Sequence, residues 1–135
     1  MSTKPVEFVY QRRPEAELVV DTPIYLSADG DVLHLREWQY RGKVVDFALN
    51  HYVTTSHPEN DGDAPLDVAR IDTCHSEVHR HQFYKSGRSQ NRDVIQPLYG
   101  VASLEEAEAL IADCYDKCYF DLAANWGENL NRWRE

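Results

Sequence analysis

A capping box followed by an apolar stripe lies near the C-terminal end of this chain, and no comparable helical signal precedes it. Ser103 offers its hydroxyl to a free amide of a first helical turn, and Glu106, three residues on, offers a carboxylate to another. Leu104, Ala107, Leu110, Ile111, Cys114, Cys118, Leu122 and Trp126 then recur at i, i+3 and i+4 spacing, which lines one helix face with apolar groups. Glu105, Glu106 and Glu108 crowd the start, where the helix dipole favours carboxylates. Gly127 is expected to end or kink the helix, with Trp133 packing back afterwards.

Everything before residue 103 reads as strands and turns. Val6–Tyr10 alternates weakly, and the short β-rich runs 18–20 and 24–26 flank Pro23, which marks an edge or broken strand because it has no amide hydrogen. Asp29-Gly30 is a tight-turn signal, Val32–Tyr40 alternates clearly, and Arg41-Gly42-Lys43 leads into a long strand over 44–54. Residues 56–66 hold Pro58, Asn60, Asp61, Gly62, Asp63 and Pro65 and predict a solvated, mobile acidic loop. Strand character returns at 68–73, 78–85 and 93–98. Strands first and one long helix last predict a single α+β domain over 1–135. Its antiparallel sheet has about five to seven strands, with a helix from about residue 103 packed across one face.

Charge narrows the partners. The 135-residue chain carries 14 basic and 23 acidic side chains, a net −9, which argues against non-specific coating of duplex nucleic acid. Residues 68–99 alone reverse the sign, with five bases against three acids, and they also hold three of the six histidines. A small anion or a short RNA backbone suits that segment. No apolar run approaches the roughly 20 residues of a membrane span, and the start lacks the apolar core of a signal peptide, so the expected location is cytoplasmic, with no membrane partner. Three cysteines without CxxC spacing suit reduced thiols there, and Cys114 and Cys118 read as small core residues. The absence of GxGxxG, GxxxxGK[ST] and GxSxG motifs argues against dinucleotide, P-loop and serine-hydrolase chemistry.

The densest chemistry lies between Arg70 and Phe83. If Ser76-Glu77-Val78 forms a three-residue connection, His75 faces His79 across a hairpin and His81 follows on the same face, bordered by Phe83. A one-residue slip would move the second strand's imidazoles to the other face. Three readings are open. In the first, His75, His79 and His81 are an acid/base set that needs no cofactor, and Arg70, Arg80 and Lys85 hold a phosphate, because histidine titrates near neutrality. In the second, the same three histidines, joined by Cys74 or Asp72, bind zinc or another divalent ion. In the third, they are half-buried sheet histidines hydrogen-bonded to carboxylates such as Asp72 and Glu77.

The order Arg-x-Asp, then a histidine, then His-x-His (Arg70, Asp72, His75, His79, His81) resembles the signature of the small TumE-type toxins of prokaryotic toxin–antitoxin modules. Ser103-Leu104-Glu105-Glu106-Ala107 is similar to their closing helix, and the likeness spans about residues 68–115. The chain departs from that pattern in its acidic loop 59–67, its shorter His75–His79 gap and its longer acidic helix. The resemblance implies a ribonuclease-like protein acting on RNA and neutralised by a cognate antitoxin. The alternative is a non-catalytic protein- or ligand-binding module, a homodimer among its forms, using the helix or sheet face.

Overall fold

The structure, a computed structural model, describes residues 8–135. Six strands, β1 (Glu17–Tyr25), β2 (Asp31–Tyr40), β3 (Lys43–Val53), β4 (Leu66–Cys74), β5 (Glu77–Gln82) and β6 (Asn91–Pro97), precede two helices, α1 (Leu104–Ala124) and α2 (Trp126–Arg134). The strands form one open antiparallel sheet in sequence order, each paired with the next. The expected α+β meander is therefore present. Among the described residues no helix is long and apolar enough to cross a membrane.

Alternation along each strand separates the two faces of the sheet. Leu33 and Leu35 of β2, Phe47 and Leu49 of β3, and Ile71 of β4 point to the helices and are buried with Ile111, Cys114, Cys118, Leu122 and Trp133. Each such large side chain contributes about 1.5–3 kcal/mol by leaving water. Phe47 meets the edge of Tyr115 with ring centroids 4.9 Å apart. The two helix cysteines are thus core residues, as their spacing predicts.

Several local expectations need correction. Val6 and Glu7 lie outside the described residues, and Phe8–Tyr10 forms no strand; instead the Tyr10 amide donates to Ser76 Oγ at 3.1 Å. The edge-strand expectation at Pro23 holds, and the two runs are one edge strand, β1, with an irregularity between Leu18 and Val20. The single long helix is two. α1 stops at Ala124, three residues before Gly127, and the Asn125 amide reaches back to Phe120 O. Asn129, fully buried in α2, explains the break: its Nδ2 donates to Asp121 O at 3.1 Å and Asp121 Oδ1 at 3.2 Å, folding the second helix back onto the first. Trp133 then enters the core, as expected from its position.

The acidic loop is solvated but not loose. Residues 61–65 are exposed, but His57 and Asn60 are buried. Asn60 Nδ2 donates to the carbonyls of Val53, Thr54 and Ala64 at 3.4, 3.0 and 3.0 Å. Both carboxylate oxygens of Glu59 accept from Arg134 at 2.7 and 2.6 Å, tying the loop to α2. Gly30, at φ 113°, lets the β1–β2 turn approach this loop; a Cβ there would collide with Thr54 Oγ1.

The capping box forms as read. Ser103 Oγ accepts from the Glu106 amide at 3.2 Å, and Glu106 Oε2 accepts from the Ala102 amide at 2.8 Å. Ser103→Ala is expected to lower stability by about 1 kcal/mol, seen as a lower urea midpoint at unchanged m-value. No shift in the midpoint would mean that the cap adds nothing.

Candidate functional site

The turn between β4 and β5 decides which side chains meet. It contains two residues, His75 and Ser76, with φ of 53° and 58°, the mirror-image geometry that suits the twist of a hairpin. Such angles normally select Asn-Gly, although histidine tolerates the left-handed region better than most residues. Tyr10 N on Ser76 Oγ and Leu98 N on Ser76 O, at 3.1 and 2.8 Å, hold the turn from outside.

This two-residue turn, shorter than expected, pairs Cys74 with Glu77, Asp72 with His79 and Arg70 with His81. His75 is therefore exposed at the turn and does not face His79; a carboxylate takes that position. The strand period of two also removes Arg80 from the set. It points to the helix face, where Nε donates to Asp121 Oδ2 and Nη2 to Asn129 Oδ1, both at 2.7 Å. Lys85 lies beyond β5, with its amide on Trp133 O at 2.7 Å and its ammonium 5.6 Å from the Trp133 ring. Cys74 is exposed at the end of β4 and stands apart from the ligand group formed by Asp72, His79 and His81.

On the face away from the helices, two rows of side chains cross the sheet. One runs Arg36, Ala48, Asp72, His79 and Val94 from β2 to β6; the next runs His34, Asn50, Arg70, His81 and Arg92. Ligand atoms of Asp72, His79 and His81 all lie within 4.8 Å of one another. His79 and His81 are 3% and 8% exposed, so their imidazoles are largely shielded although no helix covers them. Their rings meet edge to face at 4.6 Å, and His81 stacks on Phe83 at 6.0 Å, as the sequence places it.

Each ring has a distinct hydrogen-bond setting. His81 Nδ1 lies 2.6 Å from Gln90 Oε1, which fixes the proton on Nδ1 and leaves a lone pair on Nε2. His79 Nδ1 accepts from Arg92 Nη2 at 3.1 Å, and its Nε2 stands 3.1 Å from Asp72 Oδ1. That last contact is not aligned as a hydrogen bond, and Asp72 Oδ1 is buried without a donor. Glu77 Oε1 is ion-paired to Arg92 and sits 3.6 Å from His79 Nδ1. Gln90 and Arg92 escape a reading of the sequence because they lie in and just after a polar loop. Only the β5–β6 pairing, which sets Arg92 beside His81, reveals their place.

Burial holds both imidazoles below the ordinary histidine pKa of 6.5; the Asp72 charge opposes it at His79, and the Gln90 hydrogen bond opposes it at His81. The unfolded chain then takes up protons first as pH falls. The stability these groups contribute is complete above about 6.5 and declines as pH drops from there through their lower native values. The melting temperature is expected to fall over that interval, and a His79→Gln/His81→Gln variant to show a flatter profile. Identical slopes for the two proteins would refute this.

A second buried constellation had no sequence signal. Asp31 accepts from His51 Nε2 at 2.9 Å, His57 Nε2 at 3.2 Å and Ser27 Oγ at 2.7 Å. All three members of the His–Asp–His set are nearly inaccessible. His57 Nδ1 accepts from the Glu59 amide at 3.1 Å, whereas His51 Nδ1 is buried without a partner. Burial opposes the charge on Asp31, but hydrogen bonds from His51 and Ser27 and the two imidazoles together hold its carboxyl below the usual aspartate range. Both nitrogens that face Asp31 are already engaged, so this set fastens the 54–60 loop to the sheet.

No family model, curated protein or solved structure matches this chain.

Proposed function

We propose that this protein binds one divalent transition-metal ion through Asp72, His79 and His81. The observation that carries the reading is the buried Asp72 Oδ1, which has no aligned hydrogen-bond donor and stands 3.1 Å from His79 Nε2. Two ligands bound about 2.0–2.1 Å from a tetrahedral ion lie roughly 3.3 Å from each other, so this spacing suits a shared metal. His81 already presents a lone pair at Nε2. Glu77, 3.6 Å from His79 Nδ1, is placed to accept a hydrogen bond from Nδ1–H once Nε2 turns to the ion and Arg92 gives up its bond to Nδ1, the carboxylate–histidine–metal arrangement that orients ligands. Two histidines and one carboxylate leave open positions for water or substrate, where the ion acts as a Lewis acid.

A second reading keeps the imidazoles metal-free. His79 and His81 would exchange a proton during RNA cleavage, with Arg70 and Arg92 on the phosphate. It is favoured by the position of these two guanidiniums on either side of His81. With it go a toxin-like role in the cytoplasm and an antitoxin partner. Three free thiols suit that reducing compartment.

One experiment separates these readings. Purified protein is assayed for bound zinc and for cleavage of bulk RNA, with and without chelator, beside a His79→Ala/His81→Ala variant of confirmed fold. Near one equivalent of metal, lost in the variant, supports the metal site. Chelator-insensitive cleavage lost in the variant supports acid/base histidines instead. A folded wild type that takes up no metal and cleaves nothing overturns both, and leaves a binding module whose partner is then sought.

A further inference from the structure

We infer that Arg70 is the anchor of an oxyanion seat bordering the Asp72–His79–His81 group, and that its ligand is a small phosphoryl compound carrying a hydroxyl. The inference deepens the metal reading and rests on it for its position beside the ion. The Arg70 side chain makes no hydrogen bond among the described residues, and its Nε is buried without a partner. Its guanidinium carbon lies 5.5 Å from the centre of the Phe83 ring, which steadies the group without neutralising it. Among the described residues the one carboxylate at ion-pair distance is Asp72, Oδ2 to Nε at 3.4 Å, without hydrogen-bond alignment. A metal that engages Asp72 draws that counter-charge away. What remains is a planar fork of donors, the geometry that binds carboxylate and phosphoryl groups in pairs of hydrogen bonds.

The neighbours complete the seat. Asn50, paired with Arg70 on β3, donates Nδ2 to Asp67 at 3.1 Å and leaves Oδ1 buried without a donor. A donor and an acceptor thus stand unpaired at adjoining positions. Both atoms are inaccessible as the side chains stand, so a ligand oxygen meets the outer nitrogens of the partly exposed Arg70 guanidinium and a ligand hydroxyl reaches Asn50 Oδ1 once that amide turns outward; a protonated phosphoryl oxygen serves both and a carboxylate does not. On the other side of His81, Arg92 is ion-paired to Glu77 and bonded to His79 through Nη2, and among the described residues its remaining donors are unengaged.

Methylphosphonate and acetate serve as probes. Cobalt(II)-loaded protein is titrated with each while the visible absorption of the ion is followed, and metal-free protein is titrated with methylphosphonate by phosphorus NMR line width. The wild type is expected to bind methylphosphonate more tightly than acetate. Arg70→Gln should weaken methylphosphonate binding at least tenfold with one equivalent of cobalt retained, Arg70→Lys should recover part of it, and Arg41→Gln, at an exposed turn, should change nothing. Equal methylphosphonate affinity in wild type and Arg70→Gln overturns the seat, as does the absence of any response in both titrations. Tighter binding of acetate overturns the phosphoryl assignment. Failure to take up cobalt, with Arg70-dependent line broadening in the metal-free protein, instead removes the metal reading and leaves the seat standing.

Discussion

Replacing His81 by alanine is expected to weaken zinc or cobalt binding by at least about 100-fold, because even partners that only orient a metal ligand are worth 10–100-fold. His79→Ala and Asp72→Ala should do the same. Glu77→Gln, which leaves the ligands in place and removes the carboxylate 3.6 Å from His79 Nδ1, should lose about 10–100-fold. His75→Ala should lose nothing, since the turn carries that imidazole away from the group. Isothermal titration of the metal-free protein with zinc reads all five. The fold must be checked in each variant by circular dichroism, because His79 and His81 are buried. A His81→Ala variant that stays folded and binds zinc as tightly as the wild type would end the metal reading. Equal losses in His75→Ala and His81→Ala would mean that the ion is held by surface histidines in general.

The largest stability effect should come from a residue outside that site. Asp31→Ala removes the carboxylate shared by His51 and His57 and leaves two inaccessible imidazoles and the Ser27 hydroxyl without their partner. Breaking a buried charged pair from one side costs about 3–5 kcal/mol, a large share of the roughly 5–15 kcal/mol that holds a domain folded. Asp31→Asn keeps one acceptor and one donor and should lose less. Urea unfolding provides the measurement, and the same variant should expose the 54–60 loop to proteolysis, since His57 and Asn60 fasten it. A loss below about 1 kcal/mol would show that the shared carboxylate is replaceable by water.

The sheet and the cap were legible because their signals are local. Ser103 and Glu106 are three residues apart, Asp29-Gly30 makes its own turn, and alternation in Val32–Tyr40 needs no distant partner. The hairpin at His75 was not legible, because His-Ser is a poor signature for the mirror-image turn and outside hydrogen bonds from Tyr10 and Leu98 supply what the pair lacks. A turn one residue shorter that also starts one residue earlier, at His75, put Asp72, three positions back, opposite His79. Arg80 was excluded by alternation alone, since it lies between two histidines on the same strand. Arg92 and Gln90 needed the pairing of β6, and the Asp31 set joins residues 20 and 26 positions apart, a separation with no pattern along the chain.

The sequence-order meander also sets a timetable for folding. Each strand finds its partner in the stretch of chain just made, so hairpins from β1 to β6 can close one after another, across loops of no more than 12 residues. The apolar face they create cannot be covered until α1 arrives: Phe47 and Leu49 on β3 wait for Ile111, Cys114 and Cys118, more than 60 residues downstream. If the strands pair in that order during synthesis, a nearly complete sheet would stand with one greasy side in water until the last quarter of the chain leaves the ribosome. That interval is when chaperones would bind this protein, and when a chain truncated ahead of Ser103 would aggregate.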